Sequence, residues 1–290
     1  MEQSVMPAPV SQESVKIPRL PGTRMLLKEA WNDYTDHFWT YIGISAIPVI
    51  LAYILLVFVA QSQLGFFVLL IPFALVAFIA SIWAHVALIY AVTHTSEGAG
   101  IKESFQKTWN KFVSYFWIAI ITGIITMGGF MLFVIPGIIF MIWFGFAAII
   151  FINEGDRGFR ALMKSREYVR NYWWAVFGRL VLTGLIMLAI SLLVGFLLGI
   201  VFGVLTKNAE FLAQILQNFL TILITPFVLL FDLKIYMHLK KFKGQIALDT
   251  PQIKKDKKVI AWLTILGYLV GIVVSVLTVI ILVLAVSPQP

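Results

Sequence analysis

Two charged residues sit inside otherwise apolar runs of this chain, Arg179 and Asp232. Charge within a bilayer is costly and is usually paired or functional. Counted from the flanking polar segments, Arg179 enters its run about as deeply as Asp232 lies from the end of another. The sequence therefore predicts an interhelical ion pair between them, a structural lock, with Lys234 snorkelling toward the cytoplasm. The four histidines, His37, His85, His94 and His238, never recur at the i, i+3 or i, i+4 spacing that would join two of them in one helical metal site. A hydrogen-bonded packing role is expected for His85. There is no G-x-x-x-x-G-K-[ST] loop, no G-x-S-x-G elbow, no H-E-x-x-H helix and no cysteine. These absences point away from an enzyme, and no catalytic residue, metal or cofactor is expected. For lipid chemistry the only acid-base residues on offer would be Glu154, His85 and Asp232.

The elements that must carry these residues follow from composition. Of the 290 residues 60% are hydrophobic and 12% charged, and mean hydropathy is +0.94. A soluble domain carries about twice that charged fraction. Apolar stretches at 38–60, 64–92, 112–133, 136–152, 173–205, 211–239 and 259–287 are each near or above the ~20 residues a helix needs to cross hydrocarbon. The expected fold is an all-α polytopic membrane bundle of seven spans. The stretch 173–205 would be ~50 Å long as one straight helix, so it must tilt, break or extend beyond the hydrocarbon. Residues 1–22 read as a disordered tail without the apolar core of a cleaved signal.

Lysine and arginine set the orientation. Lys16, Arg19, Arg24 and Lys28 precede span one; Lys102, Lys107 and Lys111 lie between spans two and three. Arg157, Arg160, Lys164, Arg166 and Arg170 follow span four, and the basic loop 241–258 precedes span seven. Of 22 basic residues only Lys207 falls opposite. The N-terminus is expected inside the cell membrane and the C-terminus outside. This asymmetry accounts for the net charge of +8 without nucleic acid. The expected partner is instead the anionic cytoplasmic leaflet, with a protein partner or a homodimer as the other reading.

An internal repeat is expected. Trp31-Asn32 leads to Phe38-Trp39, Trp109-Asn110 to Phe116-Trp117, and Lys164-Ser165 to Trp173-Trp174. In each copy apolar residues at helical spacing (Leu27, Trp31, Tyr34; Ile101, Phe105, Trp109; Phe159, Leu162, Val169) mark an amphipathic interfacial helix. Each helix opens a two-span hairpin, giving like-oriented units at 23–92, 98–152 and 157–240, with a seventh span at 259–287. Pro136 is expected in the first turn of its helix, while Pro226 lies deep enough to kink one. Small residues every four positions, at Ser191, Gly195, Gly199 and Gly203 and at Gly267, Gly271 and Ser275, predict close packing within the bundle rather than homodimerisation.

Several of these residues together look like a known pattern: Pro136-Gly137, Glu154-Gly155, Ala161-Leu162, Lys164-Ser165, Tyr172-Trp173, Pro226 and Phe231-Asp232-Leu233-Lys234. Over about 130 to 245 the chain resembles the membrane domain attached to bacterial glycerophosphoryl diester phosphodiesterases, and its stand-alone relatives. In the fused relatives the chemistry resides in a separate barrel domain, and no His-Arg-Gly segment or barrel-sized stretch occurs here. The resemblance therefore implies a membrane module without the phosphodiesterase activity. The favoured reading is a non-enzymatic module organising lipid or a partner protein. A transporter of an uncharged or lipidic solute is the alternative, ahead of a membrane-embedded lipid enzyme.

Overall fold

Hydrocarbon offers no partner for backbone N–H and C=O groups, so a chain this apolar must satisfy them within helices. The computed structural model describes residues 18–61, 66–94, 98–205, 209–248 and 250–286, and no strand occurs among them. Seven helical segments are long and apolar enough to cross a bilayer. The chain is an all-α helical membrane bundle.

Its order is a short helix and two long ones, three times over. The first set is α1 (Thr23–Asp36), α2 (Phe38–Gln61) and α3 (Phe66–Thr93). Next come α4 (Ile101–Thr108), a 3-10 turn at Trp109–Lys111 and α5 (Phe112–Leu132), with a return through α6 (Val134–Phe144) and α7 (Ala147–Glu154). The third set is α8 (Phe159–Val169), α9 (Trp173–Leu205) and α10 (Ala209–Lys243), and α11 (Pro251–Val286) closes the chain. The stretch 173–205 is thus one continuous helix, and span four is the broken one. Span seven begins at Pro251, eight residues ahead of the apolar run, because Lys254, Lys255, Lys257 and Lys258 occupy its first turns. Proline sits third in α6, where its missing N–H costs nothing. Pro48, Pro72 and Pro226 lie inside α2, α3 and α10.

The core lies toward the basic end. There α10 contributes Leu230, Phe231, Ile235, Tyr236 and Leu239, packed with α3, α7 and α8. Of the short helices, α8 buries Leu162 and Val169 of its apolar stripe, while α1 and α4 turn part of theirs outward. In α1 the buried stripe is Leu26, Ala30 and Tyr34, while Trp31 is 56% exposed. In α4 it is Ser104 and Thr108, while Trp109 is 63% exposed. Ser104 and Thr108 let α4 approach the bundle closely, and Trp31 and Trp109, each one position on from a buried residue, are left for lipid.

Close approach also builds the α5–α6 hairpin and seats α11. One extended residue, Phe133, makes the turn, and Gly129 faces Gly137 so closely that an added Cβ would stand 3.1 Å from its Cα. A Cβ on Gly267 would lie 1.8 Å from the carbonyl oxygen of Gly128 on α5, and one on Gly271 would meet Met131. These two glycines pack within the chain, as expected. Gly195 and Gly199 do not: nothing stands within 4 Å of an added Cβ there, since α9 lies at the edge of the bundle. The surroundings of Gly203, the turn at 62–65 and Lys207 lie outside the described residues.

Candidate functional site

Three groups of polar residues are gathered at the basic end and one along the bundle interior. The first centres on Glu154, the last residue of α7. Gly155 follows with φ +78, a left-handed C-cap that a Cβ would strain. This turn and Gly158 reverse the chain so that α8 returns beneath α7. Lys164 of α8 then forms ion pairs with Glu154 and, at 2.6 Å, with Asp156. Tyr168 of α8 and Tyr236 of α10 both donate to Glu154 Oε1, the former at 3.1 Å, and Lys240 approaches the same oxygen at 3.3 Å. The Lys164 and Glu154 side chains are 8% and 6% exposed. One carboxylate thereby joins α7, α8 and α10. Ser165, beside Lys164, donates nothing to this knot. Its Oγ accepts the N–H of Phe146 at the break between α6 and α7, giving that N–H a partner where the helical ladder lapses.

Burial pulls the Lys164 ammonium down, but its hydrogen bonds to Asp156 and Glu154 outweigh this and hold its pKa above the ordinary 10.5. Burial and the Glu154 charge push the Tyr168 phenol above its ordinary 10.0. Both groups keep their protons to higher pH folded than unfolded. The stability they supply is therefore full below about pH 10 and is lost as pH rises beyond it. The thermal midpoint in detergent is expected to be flat between about pH 7 and 9 and to fall above about pH 10.5, less steeply for Tyr168→Phe. A midpoint constant to about pH 11.5 would contradict the coupling.

The second group fastens the N-terminal segment. Arg179 does not pair with Asp232. Its guanidinium donates to the carbonyls of Leu20 at 2.8 Å, Pro21 at 2.7 and 2.9 Å, and Ala175 at 2.6 Å. Equal depth in two helices does not fix their rotation, and α9 turns Arg179 toward the chain entering α1, where carbonyls satisfy it without a countercharge. Nor does Lys234 snorkel free; it pairs with Asp33 of α1 at 2.5 Å, and one turn on His238 lies 3.4 Å from Glu29. The third group ties α8 to α11: Arg166 pairs with Asp256 at 2.7 Å and lies over the Trp143 ring at 4.7 Å.

Asp232 instead borders a cavity of about 320 Å³ among α3, α7 and α10, together with His85, Thr225, Gly145 and Ala148. His85 is exposed to this space rather than hydrogen-bonded in packing, with the Tyr115 ring 5.9 Å away. Among the described residues no group of three or more His, Cys, Asp or Glu is placed to hold a metal ion.

Around the basic end the acidic side chains Glu29, Asp33, Glu154, Asp156, Glu167 and Asp256 are engaged in pairs, while Asp36 and Glu103 make no ion pair among the described residues. Arg24, Lys28, Lys102, Lys107, Lys254 and Lys258 make no ion pair among the described residues. Beside them Trp31, Trp39, Trp109, Trp117, Trp174 and Trp262 are 56% to 80% exposed. Of the positions singled out in the sequence, Pro136 and Gly137 build the α5–α6 turn, Ala161 and Leu162 are fully buried on the inner face of α8, and Pro226 is buried in α10. Trp173 stacks on Phe177 at 5.1 Å. Sequence reasoning missed Tyr236 and Lys240, whose i, i+4 spacing on the last turns of α10 was the available signal.

Comparison of the chain with protein-family models, curated proteins and solved structures finds no match.

Proposed function

We propose that this protein is a non-enzymatic membrane module that gathers anionic lipid at its cytoplasmic face, with the N-terminus inside. The observation carrying this reading is the uneven charge of the basic end: most of its acids are paired internally, while basic side chains that include Arg24, Lys28, Lys102, Lys107, Lys254 and Lys258 make no ion pair among the described residues, beside a belt of exposed tryptophans. Tryptophan rings favour the headgroup level, and each nearby lysine or arginine contributes about 1 kcal/mol of attraction to an anionic leaflet. The resemblance to the phosphodiesterase-associated membrane domain agrees with a module that carries no chemistry of its own.

The test is native mass spectrometry of the full chain released from nanodiscs that mix phosphatidylcholine with phosphatidylglycerol. Anionic lipid is expected to remain bound preferentially. Combined Lys102→Gln, Lys107→Gln, Lys254→Gln and Lys258→Gln substitutions are expected to abolish that preference while leaving the helical content unchanged. Equal retention of both lipids by the unaltered protein would overturn the reading.

A further inference from the structure

The bundle interior holds a second polar feature, independent of the lipid-facing end. Along α10, Gln214, Asn218, Thr221, Thr225 and Asp232 recur at spacings that keep them on one helix face, over ~27 Å of helix. That is close to the ~30 Å thickness of the hydrocarbon. This face borders three adjoining cavities, two against α2 and α3 and one against α3 and α7. The outermost, about 330 Å³, is lined by Gln214 and Asn218 with Tyr53 and Ser81, and Asn218 donates to the Tyr53 hydroxyl at 2.7 Å. The middle one, about 160 Å³, runs past Ser45, Ser81, Thr221 and Thr225 to His85. The innermost, about 320 Å³, contains His85, Thr225 and Asp232.

Several acceptors along this seam are left without a donor. Pro48 and Pro226 have no N–H to give the carbonyls of Ile44 and Ile222, four residues before each, and Pro48 and Ile222 both line the middle cavity. Ser45 Oγ and Asp232 Oδ1 are buried without a hydrogen-bond partner. No lysine or arginine is among the residues lining the innermost cavity, and Asp232 forms no ion pair among the described residues. A buried carboxylate with no partner is costly. The guest that relieves that cost is a cation with donors, and the largely aliphatic walls, Ile89, Ile149, Ile224, Val228 and Leu229, favour one with an apolar body. A bare metal ion would find a single carboxylate and too few oxygen ligands.

We propose that this cleft binds a small lipophilic ammonium ion, its charged head on Asp232 opposite His85 and its apolar body against α3 and α10. The polar face of α10 above it forms the approach from the membrane interior. The site is of a kind found in membrane proteins whose broken helices line a cavity: Gly145 and Ala148, at the interruption between α6 and α7, form part of its wall.

The experiment uses the full chain in nanodiscs of phosphatidylcholine alone, so that anionic lipid plays no part. Binding of 4-fluorophenethylamine is followed by fluorine NMR, with 4-fluorophenethyl alcohol as the uncharged isostere. Saturable binding of the amine and not the alcohol is expected. Asp232→Asn should weaken it by about 10-fold or more, the scale of losing a charged hydrogen-bond partner. Val228→Trp, which fills the innermost cavity without touching the charge, should also remove it, and this variant decides the matter if Asp232→Asn fails to fold. Amine binding that survives Val228→Trp, or that survives Asp232→Asn in a folded protein, would overturn the proposal. Equal binding of the alcohol, or partitioning of the amine without saturation, would overturn it as well.

Discussion

Replacing Glu154 with alanine is expected to cost about 3–5 kcal/mol, the range seen when one partner of a buried ion pair is removed. The substitution strands the Lys164 ammonium at 8% side-chain exposure, leaving it only Asp156. It also takes the acceptor from the hydroxyls of Tyr168 and Tyr236. Because those groups belong to α7, α8 and α10, the loss should register as loosening of the whole basic end rather than as local fraying. Thermal unfolding in detergent, followed by tryptophan fluorescence, measures it. Glu154→Gln keeps an acceptor for the two tyrosines and should cost less. Glu154→Leu combined with Lys164→Leu should recover part of the loss, since an apolar pair avoids the uncompensated charge. A melting midpoint for Glu154→Ala within about 1 °C of the unaltered protein would show that the knot contributes nothing.

The second large effect concerns the seat of α11. A side chain at Gly267 must occupy the space of the Gly128 carbonyl, 1.8 Å from the new Cβ, and backbone on a packed helix cannot step aside. Overpacking in a well-packed core costs about 1–3 kcal/mol or more, but α11 is apolar enough to remain in the bilayer by itself. Gly267→Leu is therefore expected to detach α11 from α5 without expelling it from the membrane. The absence of native cysteine makes this easy to read. A Cβ at 271 lies 3.3 Å from that of Met131, near the separation a disulfide requires. A protein carrying Met131→Cys and Gly271→Cys should cross-link readily under mild oxidation, and adding Gly267→Leu should abolish the cross-link. Persistence of the cross-link would mean that the helices repack around the leucine.

These two sites differ in how far the sequence revealed them. Gly267 and Gly271 stand out because small residues at four-residue spacing have a single physical use in a membrane helix, close packing. The same pattern at Gly195 and Gly199 misleads, since spacing says that a helix can approach and not whether a neighbour exists. The seven spans were legible from apolar length alone. The break at Gly145–Phe146 was not, because it is held by Ser165, nineteen residues away, accepting the Phe146 N–H. Glu154 stood out as a charged residue at the end of a span, yet its partners Tyr236 and Lys240 come from a helix more than eighty residues on. Depth along a helix matched Arg179 with Asp232 but carried no information on rotation about the axis. The structure resolves each differently: Arg179 is satisfied by main-chain carbonyls at Leu20 and Pro21, and Asp232 is left facing a cavity.

The long helix α9 carries a consequence for the membrane itself. Its apolar segment, Trp173–Ile200, has 28 residues, a length of ~42 Å at 1.5 Å per residue against the ~30 Å of average hydrocarbon. With Trp174 holding one end at the headgroup level, the excess is met by leaning well over or by locally thickening the lipid around the helix, at a fraction of a kcal/mol per Å of mismatch. A thick bilayer relieves that mismatch and a thin one worsens it. Mismatch of this kind sorts proteins among membranes of different thickness, so the length of one edge helix biases where in a cell the whole bundle is most comfortably housed.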